Sequence, residues 1–514
     1  MNDEAGAGWR APVAGLLATV TGLAVAQLVA ALVRGTASPV VVVGEWVVDL
    51  APAPVKRWAI DTFGTADKVA LVVGTLVLLF GAGALLGRLA VRRPVAALAG
   101  VAVFGLLGAV AGATRPEASP ADALPSVAGA LAAGAALWLL VRPLRPHPAA
   151  DELPAPLTVD RRGFLVAGIG VGAVAVSTGS VGWALRHRFA VDDARRAVVL
   201  PQPGRAAGRL PADADLGIDG ASPFTTPTRD FYRIDTALLV PQVDPAGWRL
   251  GIRGMVDRPL ELSYDDLLAR PLVERDITIA CVSNEVGGRL VGNARWLGVP
   301  LADLLAEAGV QPGATQLVSR SVDGFTAGTP TVAVLDGRDA LVAIGMNGEP
   351  LPTRHGFPAR LVVPGLYGFV SATKWLRTLE LTTMDAFDAY WVRRGWAKEA
   401  PIRTMARIDV PRDRQRVPAG RVAIAGVAWA PHRGIRRVEV QVGKDGPWQE
   451  ARLGAVPSDD TWRQWVLETT VAPGPQRVRV RATDGDGEVQ AETRRPPDPD
   501  GATGWHEVTF LARE

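Results

Sequence analysis

The sequence predicts a three-part chain: an α-helical membrane bundle, a soluble middle region and an all-β sandwich at the end. Three observations predict it. Hydrophobic residues make up 48% of the 514 positions and charged residues only 21%. Five stretches free of ionisable side chains fall before residue 186, and none of that length follows. From about residue 400 the apolar pattern changes to short period-two runs between Pro, Gly and Asp turns. At roughly 150 residues per domain, the length agrees with about three domains.

The five stretches are 11–33, 69–87, 94–113, 123–141 and 163–185. Each is about long enough to cross ~30 Å of hydrocarbon as a helix. One alone could be a buried core helix. Five in succession, rich in Gly and Ala that let helices approach closely, predict a bundle. Arg10, then Arg88, Arg92 and Arg93, then Arg142, Arg145, Arg161 and Arg162 alternate onto one side, expected to be cytoplasmic. The other side holds Arg34, Lys56, Arg57, Lys68 and Arg115, and its first connection is expected to include an interfacial segment at 55–63. An odd number of spans places the N-terminus inside and everything after Leu185 outside a bacterial cytoplasmic membrane.

The fifth span opens with Thr158-Val159-Asp160-Arg161-Arg162-Gly163-Phe164-Leu165, which looks like an internal twin-arginine export signal. The alternative is a pair of positive-inside anchors. No small-x-small cleavage site stands near 182–185, so the span is expected to stay as an anchor. The expected divisions are 1–189 for the anchor, 190–222 for a Pro/Ala/Asp/Arg-rich linker, 223–398 for a catalytic domain and 399–514 for the sandwich.

Overall charge is near balance, with 55 Lys+Arg against 52 Asp+Glu and no long basic run, so no nucleic-acid partner is expected. One cysteine, Cys281, excludes an intramolecular disulfide framework and any all-thiolate zinc or iron–sulfur site built by a single chain. It follows the β-like run Asp276-Ile277-Thr278-Ile279-Ala280 and opens the polar loop Val282-Ser283-Asn284-Glu285-Val286-Gly287-Gly288. A cysteine there can be an inert small hydrophobe or a thiolate made permanent by a metal.

Several segments in order carry a resemblance. Cys281-Val282-Ser283-Asn284 is followed by 292–301 (GNARWLGVPL), 346–352 (MNGEPLP), 355–365 (HGFPARLVVPG) and Lys374-Trp375-Leu376. This series resembles the sulfite oxidase family of molybdenum enzymes over roughly residues 225 to 514. The resemblance implies an α+β molybdopterin domain in which Cys281 is the one protein thiolate on molybdenum. It also implies that His355, Arg360 and Lys374 hold the phosphate-bearing pterin, with Asn284 and Asn293 as amide contacts. Taken singly, His355 could cap a turn, Arg360 could solubilise a strand edge, and Lys374 could be a surface charge.

By the same resemblance, Arg233 in Phe231-Tyr232-Arg233-Ile234-Asp235 faces the metal and anchors an oxyanion, a task suited to guanidinium. Sulfite-oxidising members usually follow this arginine with Asn-His. Ile234-Asp235 departs from that, and a carboxylate there would repel an anion. Leu366-Tyr367-Gly368-Phe369 looks like the form found in reductase-like branches. Tyr367 is either a proton donor near the metal or a buried aromatic with a satisfied hydroxyl.

The strands expected after residue 400 are 422–429, 437–442, 463–470 and 477–481, suggesting an immunoglobulin-like sandwich. It is similar to the family's dimerisation domain, with Trp429, Trp448, Trp462 and Trp465 as core or interface aromatics and a homodimer as the expected assembly. Weaker motifs read as structure. Gly168-x-Gly170-x-Gly172 lies inside a span, Asp265-Asp266 caps a helix, and 301–308 closed by Gly309 is an amphipathic helix. All five histidines fall outside the spans and no Cys-x-x-Cys-His occurs, so no haem is expected in this chain. Electrons would pass to a separate carrier such as a cytochrome or a quinone-linked protein. The activity implied is oxygen-atom transfer to or from a small oxyanion or S-oxide, with methionine sulfoxide as one candidate. The competing reading is a membrane scaffold that keeps the fold without turnover.

Overall fold

The computed structural model describes residues 8–33, 39–52, 55, 58, 62–63, 67–114, 119–145, 161–188 and 191–514. Residues 158–160 of the twin-arginine-like motif, and the charges Arg34, Lys56, Arg57 and Arg115, lie outside the described residues. The chain divides into two compact units, one of residues 1–190 with Ala237–Val240, the other of Val191–Thr236 with Pro241–Glu514.

The first unit is helical: α1 (Arg10–Leu32), α2 (Pro39–Leu50), α3 (Asp67–Arg92), α4 (Pro94–Ala113), α5 (Leu124–Val141) and α6 (Arg161–Arg188). Five segments are long and apolar enough to cross a membrane: Arg10–Leu32, Lys68–Arg92, Pro94–Ala113, Pro120–Leu144 and Arg162–Gly182. The third coincides with the expected 94–113, the second and fourth run past the expected ends by up to five residues, and the first and fifth begin one residue earlier and end one and three residues earlier. Small residues fill the interior, with Ala14, Ala18 and Ala97 buried beside Leu137 and Leu140. Leu78, Val95, Leu131 and Ile169 face outward and are exposed. Large apolar groups outside and small ones inside suit a hydrocarbon solvent, where close backbone packing replaces the hydrophobic drive between helices. At the α1–α3 crossing a Cβ on Gly15 would collide with Gly83 O, so only glycine permits that approach. The helix α2 is an addition to the expected elements; it is too short to span and precedes the segment read as interfacial.

The second unit begins with the stretch expected to be a linker, which instead lies against the rest of the unit. A short helix forms at Asp192–Ala197, Val191 and Ala214 are buried in the core, and the Leu216 N–H donates to Gln464 Oε1 at 2.5 Å. Ten strands follow: β1 (Arg249–Gly254), β2 (Leu260–Ser263), β3 (Val273–Ala280), β4 (Val291–Pro300), β5 (Gln316–Ser321), β6 (Thr326–Pro330), β7 (Leu341–Met346), β8 (Glu349–Pro350), β9 (Arg360–Val362) and β10 (Leu376–Thr382). They make a mixed sheet, β2-β1-β10-β5-β6, in which β1 and β10 are parallel, and an antiparallel sheet, β3-β4-β7-β8, with β9 beside β7. The 301–308 helix forms over Leu301–Ala308 and ends on Gly309 at φ 71°. Asp266 accepts from the Ser263 N–H at 2.8 Å and caps the helix Tyr264–Leu268, as the sequence implied.

The last part is β-rich: β11 (Met405–Val410), β12 (Arg416–Pro418), β13 (Gly420–Trp429), β14 (Ile435–Val442), β15 (Trp448–Glu450), β16 (Arg452–Leu453), β17 (Arg463–Val471), β18 (Gly474–Asp484) and β19 (His506–Arg513). Two sheets, β11-β13-β17-β16 and β12-β19-β18-β14-β15, share a core that includes Trp465, Val438, Val480 and Phe510. Only Trp465 of the four tryptophans belongs to that core. Trp429 and Trp462 are buried in the neighbouring α+β core, and Trp448 meets Trp505 edge to face at 5.0 Å. Trp462 joins the two parts: its indole N–H donates to Phe224 O at 2.7 Å and its backbone N–H to Thr278 Oγ1 at 2.7 Å.

Candidate functional site

The hairpin from β3 to β4 presents Cys281. Antiparallel pairing carries Ala280 opposite Val291, and the next residue leaves the ladder at the rim of the sheet. The Cys281 N–H donates to Leu290 O at 2.8 Å, and its carbonyl accepts from the Asn284 N–H at 3.0 Å. The Asn284 side-chain oxygen accepts from the Leu290 N–H at 2.7 Å and closes the loop. From the sandwich, Arg407 Nη1 donates to Gly288 O at 2.8 Å. A loop tied at both ends holds one side chain in one direction. The thiol is buried, which pushes its pKa up, while hydrogen bonds from Ser283 and the Lys374 charge pull it down.

Cys281 lines a cavity enclosing about 860 Å3 free of protein atoms, open solvent at the mouth included. His355, Arg360 and Lys374 line the same cavity, so the structure brings together four of the eight residues singled out in the sequence. Arg360 starts β9, His355 ends the turn Thr353–His355, and Lys374 stands two residues before β10. The turn between them requires glycine: Gly356 sits at φ 113°, and a Cβ there would lie 3.0 Å from Lys374 Cβ and 3.1 Å from Arg360 Cβ.

Arg360 is the dominant electrostatic feature. It is 4% exposed, donates to the carbonyls of His355 at 3.2 Å and Ala372 at 3.3 Å, and its guanidinium lies 4.9 Å from the centre of the Trp296 ring. Among the described residues its Nε has no hydrogen-bond partner and no carboxylate pairs with it; burial pulls its pKa down to about 10. Burying a cation without a counter-ion is costly, so the site is incomplete without an anion. Lys374 is paired, donating to Asp235 Oδ2 at 2.8 Å and to Ile234 O at 2.9 Å; burial draws its pKa down to about 8 although Asp235 opposes this. His355 accepts from Arg354 Nε at 3.2 Å and is held neutral, its pKa pulled down to about 3 by burial and then by Arg360, Arg354 and Lys374.

Four of the eight residues do not line the cavity. Arg233 does not line the cavity, because its guanidinium grips Asp235 through Nε at 2.7 Å and Nη2 at 3.2 Å. Tyr367 also lies off the lining. Its hydroxyl accepts from the Arg403 N–H at 3.4 Å and abuts Gly501, which agrees with the buried-aromatic alternative and not with a donor at the thiolate. Asn284 spends its amide oxygen on the loop. Asn293 is fully buried and off the lining, where it accepts from Thr278 Oγ1 at 3.0 Å and donates to Phe224 O at 3.1 Å.

The cavity also contains residues that sequence reasoning missed. Tyr232 lines it, stacked on Phe231 at 5.3 Å; burial and the neighbouring Cys281 raise its pKa, and Arg360 offsets part of that. Its neighbour Arg233 drew the attention in the motif. Trp391 and Trp396 flank the short turn Val392–Arg394 and join the cavity lining only through folding. Among the described residues no three His, Cys, Asp or Glu side chains converge on a metal-sized space. A metal at Cys281 would therefore bring most of its own ligands, and the anion that Arg360 lacks would arrive with it. A pterin dithiolene bearing a phosphate meets both requirements, so the residues present fit that group.

Residues 237–391 match the family model described as an oxidoreductase molybdopterin binding domain. The chain is 30% identical over 321 residues to human mitochondrial sulfite oxidase, across 53% of this chain and 58% of that protein. It therefore spans less than two thirds of the length of that relative. It is 37% identical over 153 residues to the uncharacterized oxidoreductase YuiH of Bacillus subtilis, covering 30% of this chain and 74% of that protein. The crystal structure of the sulfane dehydrogenase SoxCD from Paracoccus pantotrophus aligns with TM-score 0.49 and 24% identity, over 58% of this chain and 85% of that one.

Proposed function

Because the chain belongs to the sulfite oxidase family of molybdopterin-dependent oxidoreductases, we propose that its second unit binds one molybdopterin and transfers an oxygen atom to or from a small sulfur oxyanion or S-oxide. When bound, the group supplies two-electron redox chemistry coupled to oxygen-atom transfer. The chain's own residues do the rest. Cys281 supplies the protein thiolate, with its loop fixed at both ends so that the sulfur is presented without reorganisation. Arg360 supplies the charge that a phosphate needs, with Lys374 and the neutral His355 beside it. Kept neutral, His355 adds no third cation to the site. The aromatic lining keeps bulk water from the thiolate, and the partly buried Tyr232 stays protonated beside it.

The observation that carries this reading is the buried, unpaired Arg360 in one cavity with the only cysteine. The test is metal and pterin analysis of the full chain purified in detergent, alongside Cys281→Ser. Stoichiometric molybdenum with one pterin is expected, and Cys281→Ser should abolish turnover while leaving the unfolding midpoint near wild type. Purified protein without molybdenum overturns the reading.

The first unit is read as a five-span membrane anchor with the N-terminus in the cytoplasm and the catalytic unit outside, on the basis of apolar length and the Lys/Arg bias. The twin-arginine-like entry to the fifth span is consistent with export of a catalytic unit already folded around its cofactor. Electrons would then leave through a separate carrier on the outer side. The closing β-rich part is read as an immunoglobulin-like sandwich serving a homodimer.

A further inference from the structure

The loop that Cys281 opens meets the sandwich at two consecutive glycines. Most bonds that shape the loop are internal. The Asn284 N–H donates to Cys281 O at 3.0 Å, the Gly288 N–H donates to Glu285 O at 2.8 Å, and Asn284 Oδ1 accepts from the Leu290 N–H at 2.7 Å. Among the described residues, one hydrogen bond reaches residues 281–290 from outside the β3–β4 hairpin. It comes from Arg407 on β11, whose Nη1 donates to Gly288 O at 2.8 Å. At the preceding residue the ring of His506, on β19, lies against the backbone. A Cβ on Gly287, which sits at φ 80°, would fall 2.3 Å from the imidazole Cδ2 and Nε2. A Cβ on Gly288 would fall 2.5 Å from Asn284 Oδ1, so the residue that Arg407 holds packs on the side chain that closes the loop.

The guanidinium is oriented before it reaches the loop. Arg407 is 5% exposed, its Nε donates to Asp409 Oδ1 at 2.7 Å and its Nη2 to Ser222 Oγ at 2.9 Å, while Asp409 Oδ2 accepts from the Ser222 N–H at 2.9 Å. Neutralising Asp409 needs only a positive charge. Resting on Asp409 and Ser222 while also holding Gly288 O needs the planar fork of an arginine, because a single ammonium cannot occupy three of its corners. We propose that Arg407 is a positioning residue for Cys281: acting through Gly288 and Asn284, it fixes the loop so that the sulfur keeps one direction. The sandwich is thereby part of the metal site in addition to any part in assembly. The proposal rests on the molybdenum reading above for the sulfur's task as a ligand, while the geometry belongs to the empty protein.

Cys281 is the only cysteine in the chain, so alkylation by iodoacetamide reports this loop alone. The test uses the full chain in detergent, made without molybdenum. The thiol is buried, and its alkylation is governed by local opening; rates at several pH values separate access from acidity. Arg407→Lys should be alkylated about tenfold faster than wild type, or more, for the loss of a hydrogen bond from a charged donor. Its unfolding midpoint should stay near wild type, because the ammonium still pairs with Asp409. Arg407→Met combined with Asp409→Asn removes the tie without leaving a buried charge unpaired, and should open the loop to the same extent. Made with molybdenum, both variants should carry less metal than wild type, since groups that orient a ligand typically contribute about tenfold or more to metal affinity. Alkylation of the lysine variant at the wild-type rate overturns the proposal, since a charge beside Asp409 would then suffice. Acceleration matched by an equal loss of global stability also overturns it, for Arg407 would then only hold the fold. A wild-type chain without molybdenum sinks the metal reading, whereas alkylation decides the role of Arg407 on the empty protein.

Discussion

Replacing Arg360 with methionine should leave the empty protein nearly unchanged and deprive the loaded protein of the stability its bound group supplies. A guanidinium drawn from its ordinary 12.5 to about 10 by burial carries a penalty of roughly 3 kcal/mol in the protein without cofactor. Arg360→Met removes that penalty. It also removes two hydrogen bonds to carbonyls, at about 1 kcal/mol each, and the contact with the Trp296 ring. These terms nearly cancel, so the apo variant should unfold within about 1 kcal/mol of apo wild type. Removing one partner of a buried ion pair would instead cost about 3–5 kcal/mol. The assay is urea unfolding of the full chain in detergent, followed by tryptophan fluorescence, on protein made without molybdenum and on protein made with it. In the second preparation wild type should gain stability from its bound group, and Arg360→Met should gain none and contain no molybdenum. Apo destabilisation of about 3 kcal/mol or more, or a variant that retains the metal, refutes the idea that Arg360 waits for an external anion.

Other outcomes follow from the same geometry. Gly356→Ala forces a side chain into φ 113° between Lys374 and Arg360, and should cost roughly 1–3 kcal/mol in unfolding and lower molybdenum content further than it lowers stability. His506 accepts from the Ile408 N–H at 3.0 Å, and burial followed by Arg407 draws its pKa down to about 4. The unfolded chain therefore takes up this proton first. The stability it contributes is full above about pH 6.5 and is lost as pH falls toward about 4, by roughly 2 kcal/mol after solvent screening, and His506→Gln should flatten that slope. A reporter fused after Leu185 should be active only outside the cytoplasm; activity inside would reverse the orientation read from the arginines.

The parts of this protein legible in the sequence are those in which neighbouring residues act together. The helices of the first unit appear as unbroken apolar runs, since a helix long and apolar enough to cross a membrane writes that property on each of its residues in turn. Strands β13, β14, β17 and β18 appear as alternation, but the short β15 and β16 and the edge strand β12 do not, because two or three residues hold no period. Cys281 at the end of β3 was visible as a strand followed by a polar loop, and His355, Arg360 and Lys374 followed from an ordered series of segments. These features all concern residue types held in fixed order along the chain.

What the order could not contain is which side chain reaches the cavity and which spends itself on a neighbour. Arg233 and Asp235 are two residues apart, and only the folded backbone turns one onto the other and brings Asp235 to Lys374, 139 positions away. Asn293 looks like any polar residue until Thr278 and Phe224 engage it in the core. Tyr232, Trp391 and Trp396 become cavity walls because separate loops converge over the β3 rim. The lone cysteine, the apolar runs and the alternating end were determined by the sequence itself. That Arg233 is spent on Asp235, and that Arg360 is buried without a carboxylate among the described residues, was decided by tertiary packing, since burial and pairing exist only once distant segments meet.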